Sequence, residues 1–431
     1  MKRRIDVRAG FTAVELVVAV TTGLMVAAGA YMLAKTSLDV FQQEARMNAA
    51  QFSNLMGMNR LTTDIKRAGY QTSPLAETDT VNVCVPPTDD VLKEMLTAVR
   101  VFEGNGGTNG LARVTYGGTS APSAPDYPDL DGDLTATNNR FPDRLRLSGN
   151  FTTSEIFHLG NVELATGKIA IQVDQLSVQR VFRDLAGGGP DICDIFWANG
   201  VPHIARLLDP GGKARFLRVV NCSSTPGTGN YSEVIVTTDP IPSGPSCTAD
   251  PSGGYLNPVN FVDYAAMNLN GLTASDFGLP ASTQAVIDED AALAGFIGSN
   301  TRLSLVRREL DADGNPIPES GEIVADYVAD LNFSARVTNA SPPYVLTPAP
   351  FETLDAVPPQ RIRALGVRLT TRARNPDRET GHDPAAPPSP DQPLQSFHVF
   401  GAGAVLRYRY ARVRTLFTEV SIPNLAGVTP W

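Results

Sequence analysis

Histidine and cysteine are scarce in the chain, with four of each among 431 residues. Its four histidines, His158, His203, His382 and His398, form no HExxH pair, and no GxSxG surrounds a serine. The common zinc-hydrolase and serine-hydrolase arrangements are therefore missing. The four cysteines, Cys84, Cys193, Cys222 and Cys247, make no CxxC and have no histidine at ligand spacing, which argues against a zinc site. A net excess of cations is lacking as well. The formal net charge over 431 residues is −9, and the first nine residues alone carry +3, so the remainder is near −12. A body that acidic suits a phosphate backbone poorly, and no nucleic-acid partner is expected. Nor is there a second apolar run as long as the one at 11–34.

That run is the first thing present. Between Phe11 and Ala34 the only formal charge is Glu15. At about 1.5 Å per residue the segment spans a hydrocarbon core of about 30 Å. It exceeds the usual h-region of a cleaved secretory signal, although "AAGA" at 27–30 would serve as a cut site. The basic leader MKRRIDVRAG keeps the N-terminus cytoplasmic and sends the body across the membrane. A carboxylate in the hydrocarbon costs about 2.5–3.5 kcal/mol on insertion scales, so Glu15 asks for a function. Outside the cytosol, an even number of cysteines favours two disulfides. Cys193 and Cys222 flank two apolar stretches and form the candidate hairpin-like bridge.

Beyond Lys35 the helical period continues. Leu38, Phe41, Ala45, Asn48/Ala49, Phe52 and Leu55/Met56 recur at three- and four-residue steps, and Gly69 and Pro74 mark a stop. The pattern predicts one helix of about 55 residues over 11–68, its second half packed under a head. After Pro74 the period changes to two. "RLRLSGNF" (144–151), "ARFLRVV" (214–220), "SEVIVTT" (232–238), "RLSLVRREL" (302–310), "GVRLTTRAR" (366–374) and "AVLRYRYARVR" (404–414) read as strands, separated by Gly/Pro stretches at 117–132, 240–258 and 381–393. The expected fold class is α+β: a long N-terminal helix, then a mainly antiparallel β-sheet head. The expected organisation is a leader at 1–10, a membrane-spanning or filament-core helix at 11–34, its amphipathic continuation at 35–70, and the head at 71–431, with an insert of loops at about 180–300.

No catalytic constellation emerges, and no cofactor or metal is expected. "GNGGTNG" (104–110) lacks the strand–turn–helix setting of a phosphate loop. Asp129, Asp131 and Asp133 alternate as calcium ligands would. Asp311, Asp313, Asn315 and Glu322 match EF-hand spacing, but Pro316 stands where that loop needs glycine, so a polar turn is the simpler reading. The arginines crowding 361–374 and 407–414 read as solvated strand faces, with a subunit-contact face as the alternative.

The order of basic leader, Gly10, Phe11, Glu15 five residues past the glycine and an apolar helix resembles the class III signal of type IV pilins and pseudopilins. "LTTDIKRAGYQ" (61–71), "TRLSLVRREL" (301–310), "VADYVADLNFSARV" (324–337), "RIRALGVRLTTRAR" (361–374) and "RVRTLFTEVSIPNL" (412–425) resemble, in that order, segments of PilW-type minor pilins. The resemblance implies a type IV pilin-like fold. It also implies cleavage after Gly10, N-methylation of Phe11, and assembly through Glu15. The partners it implies are other minor and major pilins, a prepilin peptidase/methylase, the inner membrane and a tip adhesin. It puts the head in the periplasm of a Gram-negative-type bacterium before assembly, and on a pilus afterwards, where the subunit helps initiate assembly near the tip. The alternatives are a type II secretion pseudopilin and a membrane-anchored adhesive or binding module.

Overall fold

The computed structural model describes residues 12–102, 142–267, 269, 273–292, 303–339, 346–349, 359–374, 396–399 and 409–426. The chain divides into two units, Met1–Ala49 and Ala50–Trp431. Helix α1 (Ala13–Arg67) begins in the first and ends in the second.

Among the described side chains of α1 in the first unit, Val14, Leu16, Leu24, Met25, Tyr31, Phe41 and the rest are exposed and Met47 is half-buried. Its threonines do not break the apolar surface. Thr21 and Thr22 return their hydroxyls to the carbonyls of Val17 (2.9 Å) and Val18 (2.6 Å), and Thr36 to that of Met32 (2.7 Å). Each polar group is thereby satisfied inside the helix, as a lipid setting requires.

In the second unit α1 lies on a sheet, but not by the stripe that the periodicity suggested. Phe52, Leu55 and Met56 are 65%, 50% and 56% exposed, whereas Ala50, Asn54, Gly57, Met58, Leu61, Asp64, Ile65 and Ala68 are buried. Close approach explains the choice of face. A Cβ added at Gly57 would lie 2.9 Å from the Ala325 Cβ and 3.2 Å from Leu369, so large side chains cannot occupy this side. Hydrogen bonds replace the bulk. Asn54 Nδ2 donates to the carbonyls of Leu369 (3.1 Å) and Arg414 (2.9 Å), Thr371 Oγ1 to that of Ala50 (3.0 Å), and the Asp326 amide to Ser53 Oγ (2.9 Å). Gly69, at φ +75°, ends the helix, and Asn424 Nδ2 donates to the last carbonyls, of Lys66 and Ala68.

The strands are β1 (Val99–Phe102), β2 (Arg144–Gly149), β3 (Phe157–Glu163), β4 (Lys168–Ile171), β5 (His203–Leu208), β6 (Ala214–Pro226), β7 (Tyr231–Thr238), β8 (Tyr255–Met267), β9 (Leu303–Leu310), β10 (Glu322–Thr338), β11 (Leu346–Ala349), β12 (Ile362–Arg372), β13 (Ser396–Val399) and β14 (Arg409–Ser421). The main sheet runs β13-β14-β12-β10-β9-β8-β2-β1, with β11 also on β10, and every pairing is antiparallel. Leu61, Ile65, Leu145, Leu147, Tyr264, Leu305, Leu331, Phe333, Leu365 and Leu369 join in the core between this sheet and α1.

The second sheet was not legible as such. Residues 255–259 of β8 pair with β5, and Tyr255 and Leu256 also pair with β3, so β8-β3-β4-β7-β6-β5 closes into a ring of six antiparallel strands. Besides the strands expected at 214–220 and 232–238, the insert holds further regular structure. It includes helices α3 (Leu176–Ala186) and α4 (Ile192–Phe196), which follow the short α2 (Asp90–Met95). Val178, Val181, Ile192, Ile195 and Phe196 of these helices share a core with Phe157, Ile169, Leu207, Val219 and Val236 of the ring. The two sheets share β8: residues 260–264 pair with β2 in the main sheet, where 255–259 pair with β5.

Candidate functional site

The first turn of α1 holds the one carboxylate of the apolar segment. Thr12 stands at the N-cap and Glu15 three residues on. The Thr12 amide (3.0 Å) and hydroxyl (2.9 Å) both donate to Glu15 Oε2, and the Glu15 amide donates to Thr12 Oγ1 (3.3 Å). This is a reciprocal capping box, which satisfies two of the amides that a helix start leaves open. Glu15 is exposed, and among the described residues its other oxygen, Oε1, accepts no hydrogen bond. Gly10 and Phe11 lie outside the described residues. Among the described residues, α1 is the one helix long and apolar enough to cross a membrane.

Other sequence candidates divide between explained and undescribed. Asp129, Asp131, Asp133 and the 104–110 loop fall outside the described residues. In the β9–β10 turn, Asp311 Oδ1 accepts the amides of Asp313 and Asn315 (2.9 and 2.8 Å), and Arg218 takes both Asp313 oxygens at 2.6 Å. That is the bonding of a hairpin turn, with Gly314 at φ +84°. Among the described residues no group of three His, Cys, Asp or Glu could hold a metal ion. Cys193 is bridged to Cys222, tying α4 to β6, and Cys84 to Cys247. The arginines of β12 are not simply solvated. Arg372 is 1% exposed over the Tyr327 ring, and Arg368 pairs with buried Asp330 (3.2 Å).

Three polar networks, two of them buried and one half-buried, join residues distant in the sequence. On α1, Asp64 accepts from Arg307 Nε (2.7 Å) and from the Tyr264 hydroxyl (2.7 Å). Burial pushes the Tyr264 hydroxyl well above the usual phenol range, and the Asp64 charge adds to the push. Burial works against the Arg307 charge, but Asp64 and Glu309 outweigh it and hold the guanidinium protonated. On the opposite face of the sheet, buried Asp263 bridges Arg144 and Arg308. Burial there opposes ionisation, yet the Arg144 and Arg308 charges keep this carboxyl below its ordinary range. Arg100, Arg144 and Arg146 all stand 4.9–5.4 Å from the Phe102 ring centroid. In the second sheet, Asp191 caps α4 and accepts from Ser224 and Tyr231. Partners such as residues 64 and 307 are 243 positions apart, which no spacing rule reaches.

Comparison of the chain with protein-family models, with curated proteins and with solved structures found no match.

Proposed function

We propose that the chain is a structural subunit of a type IV pilus, of the PilW-like minor pilin kind, and not an enzyme. The observation that carries this reading is Glu15 in the first turn of a 55-residue helix. The early part of that helix is an exposed apolar surface, and its last turns are core elements of an antiparallel head. A lone carboxylate at that depth gains from a cation at the same depth on a neighbouring subunit. The Phe11 ammonium, created by cleavage after Gly10, is such a cation. A slip of the pairing leaves both charges unmatched, so the contact also selects the axial register. The exposed Phe52, Leu55 and Met56, on the side of α1 away from its own sheet, offer further surface to a neighbouring helix. Before assembly the helix anchors the chain in the inner membrane, with the head in the periplasm, where its two disulfides form.

Mass spectrometry of the N-terminal peptide of the membrane-extracted protein tests the reading. The expected peptide begins at Phe11 and carries one added methyl group. A peptide beginning near residue 30, after "AAGA", or at Met1, would overturn it.

A further inference from the structure

We infer that Thr12 is a positioning residue that presents Glu15 Oε1 to the neighbouring subunit; this rests on the pilus-subunit reading above. The geometry is specific. Both Thr12 donors converge on the same oxygen, Oε2, at 3.0 Å and 2.9 Å, and the Glu15 amide closes the box on Thr12 Oγ1. A carboxylate on a flexible two-carbon stem samples several rotamers. Two hydrogen bonds to one of its oxygens select one orientation and leave the second oxygen for an outside partner. An ammonium can therefore engage Oε1 without displacing the cap. The pairing proposed for assembly and the capping of the helix are thus compatible at one side chain.

The apolar setting strengthens the argument. Open amides at a helix start are costly where no water can reach them, and Thr12 and Glu15 close two of them together. The box also lies wholly beyond Gly10, so cleavage of the leader leaves both of its members in the chain. No other side chain within three residues of Glu15 could replace Thr12, because Ala13, Val14, Leu16, Val17 and Val18 are apolar. A serine at 12 would keep the donor and acceptor, whereas a valine keeps the shape and loses both.

The test uses the full chain in detergent micelles and, in parallel, in the producing cell. In micelles, Thr12→Val is expected to speed exchange of the Glu15 amide by about fivefold, the loss typical of an N-cap. The same change is expected to move the Glu15 carboxylate carbon signal, and Thr12→Ser to restore both readouts. In cells, the amount of chain in sheared filaments should fall about fivefold for Thr12→Val and recover for Thr12→Ser, with Glu15→Leu as the control. Unchanged exchange and carbon signals in Thr12→Val would overturn the positioning role. So would filaments that take up Thr12→Val at the wild-type level while excluding Glu15→Leu, a result that leaves the pilus reading standing. If Glu15→Leu itself enters filaments normally, it is the pilus reading that fails, and the inference with it.

Discussion

The helix–sheet junction offers the most stringent energetic test. Asp64 has 3% of its side chain exposed and Arg307 6%, and the two are 2.7 Å apart with Tyr264 completing the cluster. Replacing Asp64 by leucine leaves Arg307 with Glu309 (3.3 Å), whose side chain is 25% exposed, and with Glu322 at the distant 3.9 Å. Breaking a buried pair by removing one partner costs about 3–5 kcal/mol, because the remaining charge is desolvated without compensation. The Tyr264 hydroxyl also loses its acceptor, which adds about 1 kcal/mol or more. The expected loss for Asp64→Leu is therefore about 4–6 kcal/mol. The double variant Asp64→Leu with Arg307→Leu removes both charges and should recover most of that loss. Urea titration of the full chain in micelles, followed by Tyr and Trp fluorescence, reads the difference from the shift in midpoint. If the single variant loses less than about 1 kcal/mol, or if the double variant is no more stable than the single, the cluster does not fasten α1 to the sheet in the way described.

Further outcomes follow from the same packing. Gly57→Leu should destabilise the head by about 3 kcal/mol or more in the same titration, since even a Cβ would meet Ala325 at 2.9 Å. Gln51→Leu on the exposed side should change stability by less than about 0.5 kcal/mol. Reduction is expected to lower the melting temperature in two separable steps. Loop-closure entropy assigns about 5 kcal/mol to Cys84–Cys247, which closes 163 residues, and about 3.5 kcal/mol to Cys193–Cys222, which closes 29, so Cys84→Ser paired with Cys247→Ser should cost more than the other pair. Burial and the hydrogen bond to Asp191 push the Tyr231 hydroxyl up to about 12 from 10.0. A raised folded value stabilises the head below pH 10.0, and this contribution is lost as the pH climbs toward 12. Thermal melts should therefore fall across that window, with a shallower fall in Tyr231→Phe.

What could be read from the sequence depended on how local the cause was. The helix was legible because its period and its glycine stop are local, and α1 ends at Arg67, next to the expected end. Its docking face was not. Hydrophobic periodicity ranks Phe52 and Leu55 above Ala50 and Gly57, while contact with a sheet rewards the small residues. Strands such as "RLRLSG" alternate arginine and leucine, which reads as one wet face. Arg144 and Arg146 are instead buried beside Asp263, a partner more than a hundred residues away. The ring of six strands was hidden for a similar reason. Pro258 interrupts "YLNPVNFVDYAAM" and demotes it as a strand, yet it sits within β8 opposite Ala205. Glu15 stood out because a charge in an apolar run is conspicuous. Its partner Thr12 did not, although Thr-x-x-Glu before an apolar run is itself a cap signature.

The central claim is that this chain enters a filament through Glu15. The direct measurement is an immunoblot of sheared surface filaments and of membranes, comparing the wild-type chain with Glu15→Leu at equal expression. The account predicts wild-type chain in both fractions, and the Glu15→Leu chain in the membrane fraction alone. Equal amounts of both chains in the filaments, or wild-type chain confined to the membrane while the cells bear filaments, would contradict it.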